Sequence, residues 1–138
     1  MGVPVFIKIV ETQFFDFNNV AVSSTMATRV IRGLDGSRFS KFTLVVRAEG
    51  INIGTAAKLE VEVYPAWPLA ADPTSNYEAA SRAGGVELNS TTAGGTLYTA
   101  ALTAQLGPAF DVVITATKPA GAAVNCNATL SIGLLVWE

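Results

Sequence analysis

Polar and apolar residues alternate most strictly in the stretch Lys58-Leu59-Glu60-Val61-Glu62-Val63-Tyr64. Three apolar residues occupy one side of the extended chain, and charged residues occupy the other side. Because successive side chains of a β-strand point to opposite faces, this pattern predicts a strand with one face in a core and the other in water. Half-buried strands of this kind are typical of antiparallel sheets.

The same alternation recurs along the chain and predicts about eight strands in total. The other strong segments are 42–48, 110–117 and 128–137, and the weaker ones are 3–10, 20–26, 29–34 and 96–102. In 128–137 the far end is apolar on both sides, which predicts burial of both faces. Short strands at this spacing are typical of a sandwich. We therefore predict an all-β, antiparallel β-sandwich of the jelly-roll type: one domain over 1–138, with 1–19 as an edge strand and interface flap.

One segment departs from the alternation. Asp72 can cap a helix N-terminus, Pro73 fits a first helical turn, and Gly84 can end a helix. These signals predict a short helix near residues 73–83. An irregular loop over one sheet edge is the alternative.

The composition excludes several kinds of chemistry. The 138 residues include no histidine and a single cysteine, Cys126, so the sequence lacks a His-based catalytic group and a cysteine pair for a disulfide or zinc site. Glu60 and Glu62 share one face, as a carboxylate-based hydrolase would need, but the adjacent Lys58 favours an ordinary solvated face. We expect a protein that is not an enzyme and that binds no cofactor or metal.

The N-terminal residues and the lengths of the apolar runs predict where in the cell the protein is located. The first residues lack a basic segment followed by a long apolar run, which a secretory signal requires. No apolar run approaches the ~20 residues needed to cross a bilayer. We expect a soluble protein that is made in the cytoplasm and has no membrane partner.

Charge is distributed unevenly along the chain. Residues 1–58 carry a net charge of +3, and residues 59–138 carry −5. The alternation places Phe42, an aromatic residue within the basic region, in the core, so a base-stacking platform for nucleic acid is not favoured. The opposite signs fit contacts between copies in which a basic region meets an acidic one, and an ordinary solvated surface is the alternative. The basic region contains Arg29, Arg32, Arg38, Lys41 and Arg47.

Aromatic residues near turns are the main candidates for contacts. Phe14, Phe15 and Phe17 concentrate near a turn, where they would serve as an interface anchor or as a flap over an edge. Trp67 is predicted in a loop, where it would contact a protein or a sugar, or plug one end of the sandwich. An alternative glycan-binding surface would use Tyr64, Trp67 and Tyr77. The candidate protein interface comprises Phe14, Phe15, Phe17, Arg29, Arg32 and Trp67.

Part of the sequence resembles a known group of proteins. Residues 34–46 contain Asp35, Ser37 and Phe39 in the pattern Asp-x-Ser-x-aromatic, directly before an apolar strand, and segments 58–64, 106–116 and 128–134 follow. Over about three quarters of the chain, this arrangement resembles small β-sandwich structural proteins of tailed bacteriophages.

The resemblance implies a virion component without catalytic residues. The resemblance most directly implies a capsid decoration (cement) protein that binds the shell lattice and stabilises it. The implied partners are the major capsid protein or other virion proteins, and the implied state is a homo-oligomer, with a trimer expected. The implied location is the capsid surface, after synthesis in the host cytoplasm. A carbohydrate- or receptor-binding module is the alternative function.

Overall fold

The computed structural model describes residues 4–18, 23–31, 41–68, 77–79, 83–102, 109–119 and 124–137; for 23–31, 66–68, 77–79, 96 and 109 it describes the backbone. Within these ranges the chain contains no helix, and so none that is long and apolar enough to cross a bilayer. The described strands are β1 (Val5–Asp16), β2 (Ser23–Ile31), β3 (Lys41–Ile53), β4 (Lys58–Pro68), β5 (Tyr77–Ala79), β6 (Gly84–Asn89), β7 (Thr96–Ala101), β8 (Ala109–Thr117) and β9 (Cys126–Trp137).

The strands form two antiparallel sheets. The four-stranded sheet has the order β1-β9-β3-β7. The five-stranded sheet has the order β2-β8-β4, and both β5 and β6 pair with the remaining edge of β4. Consecutive strands β1 to β4 alternate between the sheets, as do β7 to β9, which is the connectivity of a jelly roll. The predicted all-β antiparallel sandwich is confirmed.

The core lies between the two sheets and follows the alternation. In β4, the fully buried residues are Leu59, Val61 and Val63. In β3, which belongs to the other sheet, they include Leu44 and Val46. Burying one such side chain stabilises the fold by about 1.5–3 kcal/mol. The pattern in the sequence therefore identifies correctly which residues of these strands face inward.

The prediction of a helix near 73–83 is wrong for the part of that segment that the structure describes. Tyr77–Ala79 is extended and pairs with the end of β4, with Tyr77 opposite Pro68. The backbone N–H of Ala83 donates to the carbonyl of Val63 at 2.8 Å. An isolated helix of this length is marginal, whereas the free edge of β4 supplies ladder hydrogen bonds. The remainder of the segment, 73–76 and 80–82, lies outside the described residues.

Pro65 explains why β5 and β6 pair with the same edge of β4 as two separate strands. The carbonyl of Val63 points toward β6, so the backbone nitrogen of Pro65, two residues later, points to the same side. Because proline has no N–H, it cannot donate to a strand there. The described pairing of β6 ends at Val63 and that of β5 starts at Ala66, on either side of Pro65.

Strand β1 is an edge strand with two irregularities. Its register with β9 shifts between Lys8 and Val10 and again between Val10 and Gln13. Thr12 has a positive φ of 44°, and its N–H donates to the Ser131 hydroxyl at 3.1 Å. Such bulges interrupt the row of free backbone groups along an edge and so limit unwanted strand pairing.

Polar contacts fix the turn that follows β1. The Asn18 side-chain oxygen accepts from the Cys126 N–H at 2.7 Å and from the Asn127 side-chain nitrogen at 3.1 Å. Lys118 is 7% exposed and donates through Nζ to the carbonyls of Phe17 at 2.8 Å and Asn18 at 3.0 Å. These bonds join the end of β1 to the end of β8 and the start of β9.

Cys126 is expected to be unreactive in the folded protein. It is fully buried at the start of β9, with Sγ 3.7 Å from the Lys58 carbonyl oxygen. Burial raises the pKa of its thiol, and the positive charge of Lys118 acts in the opposite direction to a lesser extent. Because the thiolate is the reactive form, a thiol reagent at neutral pH should label the protein only after denaturation. Stoichiometric labelling of the folded protein would contradict this.

Candidate protein interface

Exposed large apolar side chains concentrate on one sheet. Among the side chains that the structure describes, Val5, Phe6, Phe14 and Leu97 are each at least half exposed, between 50% and 56%. The first three lie in β1 and the fourth in β7, which are the two edge strands of the four-stranded sheet. Scattered exposed apolar residues are normal, but a set gathered on one sheet is a candidate contact surface.

An open groove crosses the outer face of this sheet. It has a volume of about 270 Å³, and its apolar lining includes Phe6, Val45 and Leu97. The strand register places Gly133 of β9 between Lys8 of β1 and Val45 of β3, so Gly133 forms the floor. The groove therefore spans all four strands of the sheet, from Phe6 in β1 to Leu97 in β7.

Position 133 must be a glycine because β1 lies too close to it to leave room for a side chain. A Cβ at this position would overlap the Phe6 ring, with Cε2 only 2.6 Å away, and would lie 2.9 Å from the Ile7 carbonyl oxygen. The glycine therefore lets the Phe6 ring lie on the sheet and form one wall of the groove. Gly133 is itself buried, while Leu135 and Trp137 on the same side are half-buried, in agreement with the apolar character of both sides of this strand.

The outer face of the four-stranded sheet is electrically balanced. Lys8 pairs with Glu11 at 3.2 Å, and Arg47 pairs with Glu49 at 2.9 Å. The Lys41 ammonium lies 4.6 Å from the centre of the Trp137 ring, a cation–π contact. The ionisable side chains described on this face are Lys8, Lys41, Arg47, Glu11, Asp16 and Glu49, with a net charge of zero.

The outer face of the five-stranded sheet is acidic. Lys58 pairs with Glu60 at 3.1 Å and with Glu87 at 3.8 Å. The hydrogen bond and charge of Glu60, with smaller contributions from Glu87 and Glu62, raise the pKa of Lys58 despite a small opposing effect of burial. Glu62 accepts from the Tyr64 hydroxyl at 3.3 Å. The ionisable side chains described on this face are Lys58, Glu60, Glu62, Glu87 and Asp111, with a net charge of −3.

The two glutamates considered for a hydrolase therefore lie in the middle of this acidic face. Glu60 is ion-paired with Lys58, as the adjacent lysine in the sequence indicated. Among the described residues, no group of three or more Cys, Asp or Glu side chains is arranged to hold a metal ion.

The structure separates the three predicted phenylalanine anchors. Phe14 is 56% exposed, on the outer side of β1. Phe15 and Phe17 are 3% and 4% exposed and belong to the hydrophobic core. The expectation that all three face a partner is therefore corrected: Phe15 and Phe17 pack between the sheets, where their burial stabilises the chain itself.

The other predicted contact residues lie in or near the five-stranded sheet. The backbone of Arg29 in β2 is opposite Asp111 in β8, and its side chain is outside the described part. Arg32 lies outside the described residues altogether. Trp67, expected in a loop, is a strand residue of β4 opposite Glu78, because β5 pairs with the end of β4. The Trp67 and Tyr77 side chains, part of the glycan-binding hypothesis, are also outside the described part.

The sequence analysis selected none of the residues that line the groove for the candidate interface, and those it missed include Phe6, Val45, Leu97 and Gly133. Gly133 did carry a usable signal, because a glycine inside an apolar strand marks a bulge or the close approach of another group. Phe6, Val45 and Leu97 carried none, since each fits an ordinary strand pattern and only the packing of the strands shows that they share one face.

Comparison with known proteins shows a fold found in a virus. The chain is similar to one in the solved structure of infectious bursal disease virus, Gx strain, with a TM-score of 0.53, 14% sequence identity, and coverage of 99% of this chain and 32% of the viral one. The chain thus spans about a third of the length of that viral chain. At this identity the likeness shows the fold alone, and it is not specific to tailed bacteriophages. No family model and no curated protein matches the sequence.

Proposed function

We propose that this chain is a non-enzymatic structural protein of a virion, and specifically a decoration protein that binds a shell lattice and stabilises it. The observation that carries the proposal is the outer face of the four-stranded sheet, which has exposed apolar side chains, a groove, and no net charge over its described side chains. It is supported by the jelly-roll topology, shared with a chain from a virus structure. The resemblance to structural proteins of tailed bacteriophages supports it further.

A β-sandwich with such a face is suited to contacts with proteins. Interfaces are depleted in unpaired charge at their centres and enriched in aromatic and aliphatic anchors. Here the groove has apolar walls that include Phe6, Val45 and Leu97. Lys8 and Arg47 also line it, and each is paired with a glutamate. These pairs also favour protein over nucleic acid as the partner of this face, because phosphate binding uses clustered basic side chains.

Stabilisation of a shell would follow from mass action. A protein that binds the assembled lattice, and not its separated subunits, shifts the equilibrium toward assembly by an amount set by its concentration relative to its Kd. The proposed partners are the major shell protein and further copies of this chain. Arg29 and Trp67, both in strands of the five-stranded sheet, remain proposed contacts with the shell.

The test is the copy number of this chain in gradient-purified particles, measured by quantitative mass spectrometry against the most abundant co-banding protein. We expect about one copy per major shell subunit. A few copies per particle would overturn the decoration role in favour of a tail or vertex role. Absence from particles would overturn the virion role. A glycan array and a Trp67→Ala variant would then test the carbohydrate-binding alternative.

A further inference from the structure

We propose that the outer edge of β7 pairs with an extended strand of the shell protein, which would add a fifth strand to the four-stranded sheet. This inference rests on the proposed function for the identity of the partner, and it names the contact that the partner makes. Proteins bind extended segments in this way through backbone hydrogen bonds along an exposed sheet edge.

Every second residue of β7 turns its backbone polar groups away from β3. The Leu102 N–H donates to the carbonyl of Phe42 at 3.0 Å, so these residues continue the β3–β7 ladder as a hydrogen-bonded pair. Because such pairs alternate with pairs that exchange no bonds, the N–H and C=O groups of Leu97 and Thr99 point away from β3. In the part of the chain that the structure describes, β7 pairs with β3 alone.

The other described edge strands carry features that protect an edge from strand addition, and β7 carries none of them. Bulges, charged side chains, prolines and very short strands are the ordinary means of blocking an edge. β1 has bulges, β5 has three residues, β6 contains Glu87 and β2 contains Arg29. β7 has six residues, an unbroken register with β3, and neither a charged residue nor a proline.

The side chains beside this edge favour an apolar partner strand. Tyr98 and Ala100 are half-buried and pack against the core, so an added strand would bury them further. On the outer side Leu97 is 56% exposed and lines the groove, so the added strand would lie beside the candidate interface. We expect apolar or β-branched residues at alternate positions of the partner strand, because such side chains pair well across neighbouring strands.

The two ends of β7 favour a different chain over a second copy as the occupant. Before the strand, Gly95 has a φ of 74°, so the extended conformation stops there. At the other end, Gly84 of β6 packs closely, since a Cβ at Gly84 would lie 3.3 Å from the Ala101 carbonyl oxygen. In a two-fold pairing of β7 with itself, each copy would bring both obstacles to the contact. A strand from another chain meets each obstacle only once.

Hydrogen exchange tests this contact directly, because the proposal specifies which amides gain a partner. The probe is a preparation of shells purified from a source that lacks the gene for this chain. Exchange of the whole chain would be measured by mass spectrometry at residue resolution, free and bound to these shells. We expect the Leu97 and Thr99 amides to exchange at least about tenfold more slowly when bound. The Tyr98 and Ala100 amides, which bond to β3 in the free protein, should change little.

Two proline variants test the same edge by binding. Thr99→Pro removes an outward N–H and leaves the bonds to β3 intact, so the fold should be kept. Glu87→Pro is the matched control in β6. Because the Val63 carbonyl points toward β6 and Val63 pairs with Gly84, the N–H of Glu87, three positions after Gly84, points outward. Thr99→Pro should raise the Kd for shells by about tenfold or more, and Glu87→Pro should keep the wild-type Kd.

Circular dichroism would check that each variant is folded, and the exchange measurement on the wild type decides the question even if Thr99→Pro does not fold. Three results would overturn this contact while the proposed function stands: unprotected Leu97 and Thr99 amides in the bound protein, an unchanged Kd in folded Thr99→Pro, or equal weakening in Glu87→Pro. Protection that arises without shells as the protein concentration rises would also overturn it, because the occupant is then a second copy. If the wild type does not bind the shells, the decoration role fails together with this contact.

Discussion

Replacing Phe15 with alanine is expected to lower the free energy of unfolding by about 3–5 kcal/mol. Phe15 is 3% exposed and lies in the core, so the substitution removes a buried ring and leaves a cavity that its neighbours fill only in part. Phe14→Ala is the matched control one residue away. Because Phe14 is 56% exposed, its loss should change stability by less than about 1 kcal/mol.

Urea unfolding followed by tryptophan fluorescence would measure both variants. The midpoint should fall for Phe15→Ala with little change in the denaturant dependence, which shows that stability and not compactness changed. Equal destabilisation by the two substitutions would mean that both rings are buried, and would contradict the exposure of Phe14 on the outer face. The measurement therefore tests the packing of β1 independently of any partner.

Replacing Asn18 with alanine is expected to lower stability by about 1–3 kcal/mol. The Asn18 side-chain oxygen accepts from the backbone N–H of Cys126 at 2.7 Å and from the Asn127 side chain at 3.1 Å. Both Cys126 and Asn127 are buried, so their donors would lose a partner in a place where water has little access. A buried donor left without a partner incurs its full desolvation penalty.

Asn18→Asp is the control for this network. A carboxylate keeps the accepting oxygen, and the Lys118 ammonium, which already donates to the Asn18 carbonyl at 3.0 Å, lies close to it. Asn18→Asp should therefore retain most of the stability that Asn18→Ala loses. If Asn18→Ala unfolds at the wild-type urea concentration, the hydrogen bonds at this turn contribute nothing net and the proposed role of Asn18 is wrong.

The two faces of the sandwich have different chemistry, and this difference matters more for function than the fold does. Jelly rolls serve many functions, so the topology alone does not assign a virion role to this chain. The grooved face has exposed apolar side chains and is neutral over its described side chains, whereas the opposite face carries a net charge of −3 over its described side chains. Val45 and Val113 are half-buried, and each faces outward on one of the two faces, so they are suitable positions for substitutions that test each face.

The position of the interface could be predicted only in part. Of the three phenylalanines selected as contacts, Phe14 is exposed, whereas Phe15 and Phe17 are buried. Strict alternation cannot separate these residues, because Val10 and Phe15 are five positions apart and yet both are buried. The register shifts in β1 explain this: from Val10 to Gln13 the strand advances three residues while β9 advances two, from Ile132 to Leu130.

By itself, the sequence determined the all-β class and the inward-facing side of β3, β4 and β8, because alternating apolar residues put one face of a strand in the core. It predicted two strands, 20–26 and 29–34, where the structure describes the single strand β2, and it did not predict β6. Only the tertiary structure decided the state of Tyr77–Ala79, since a free edge of β4 supplied hydrogen bonds that outweigh weak local helix signals. It also decided which phenylalanines are exposed and that Phe6, Val45 and Leu97 share a groove. Bulges and strand order join residues far apart in the chain, and no local pattern records them.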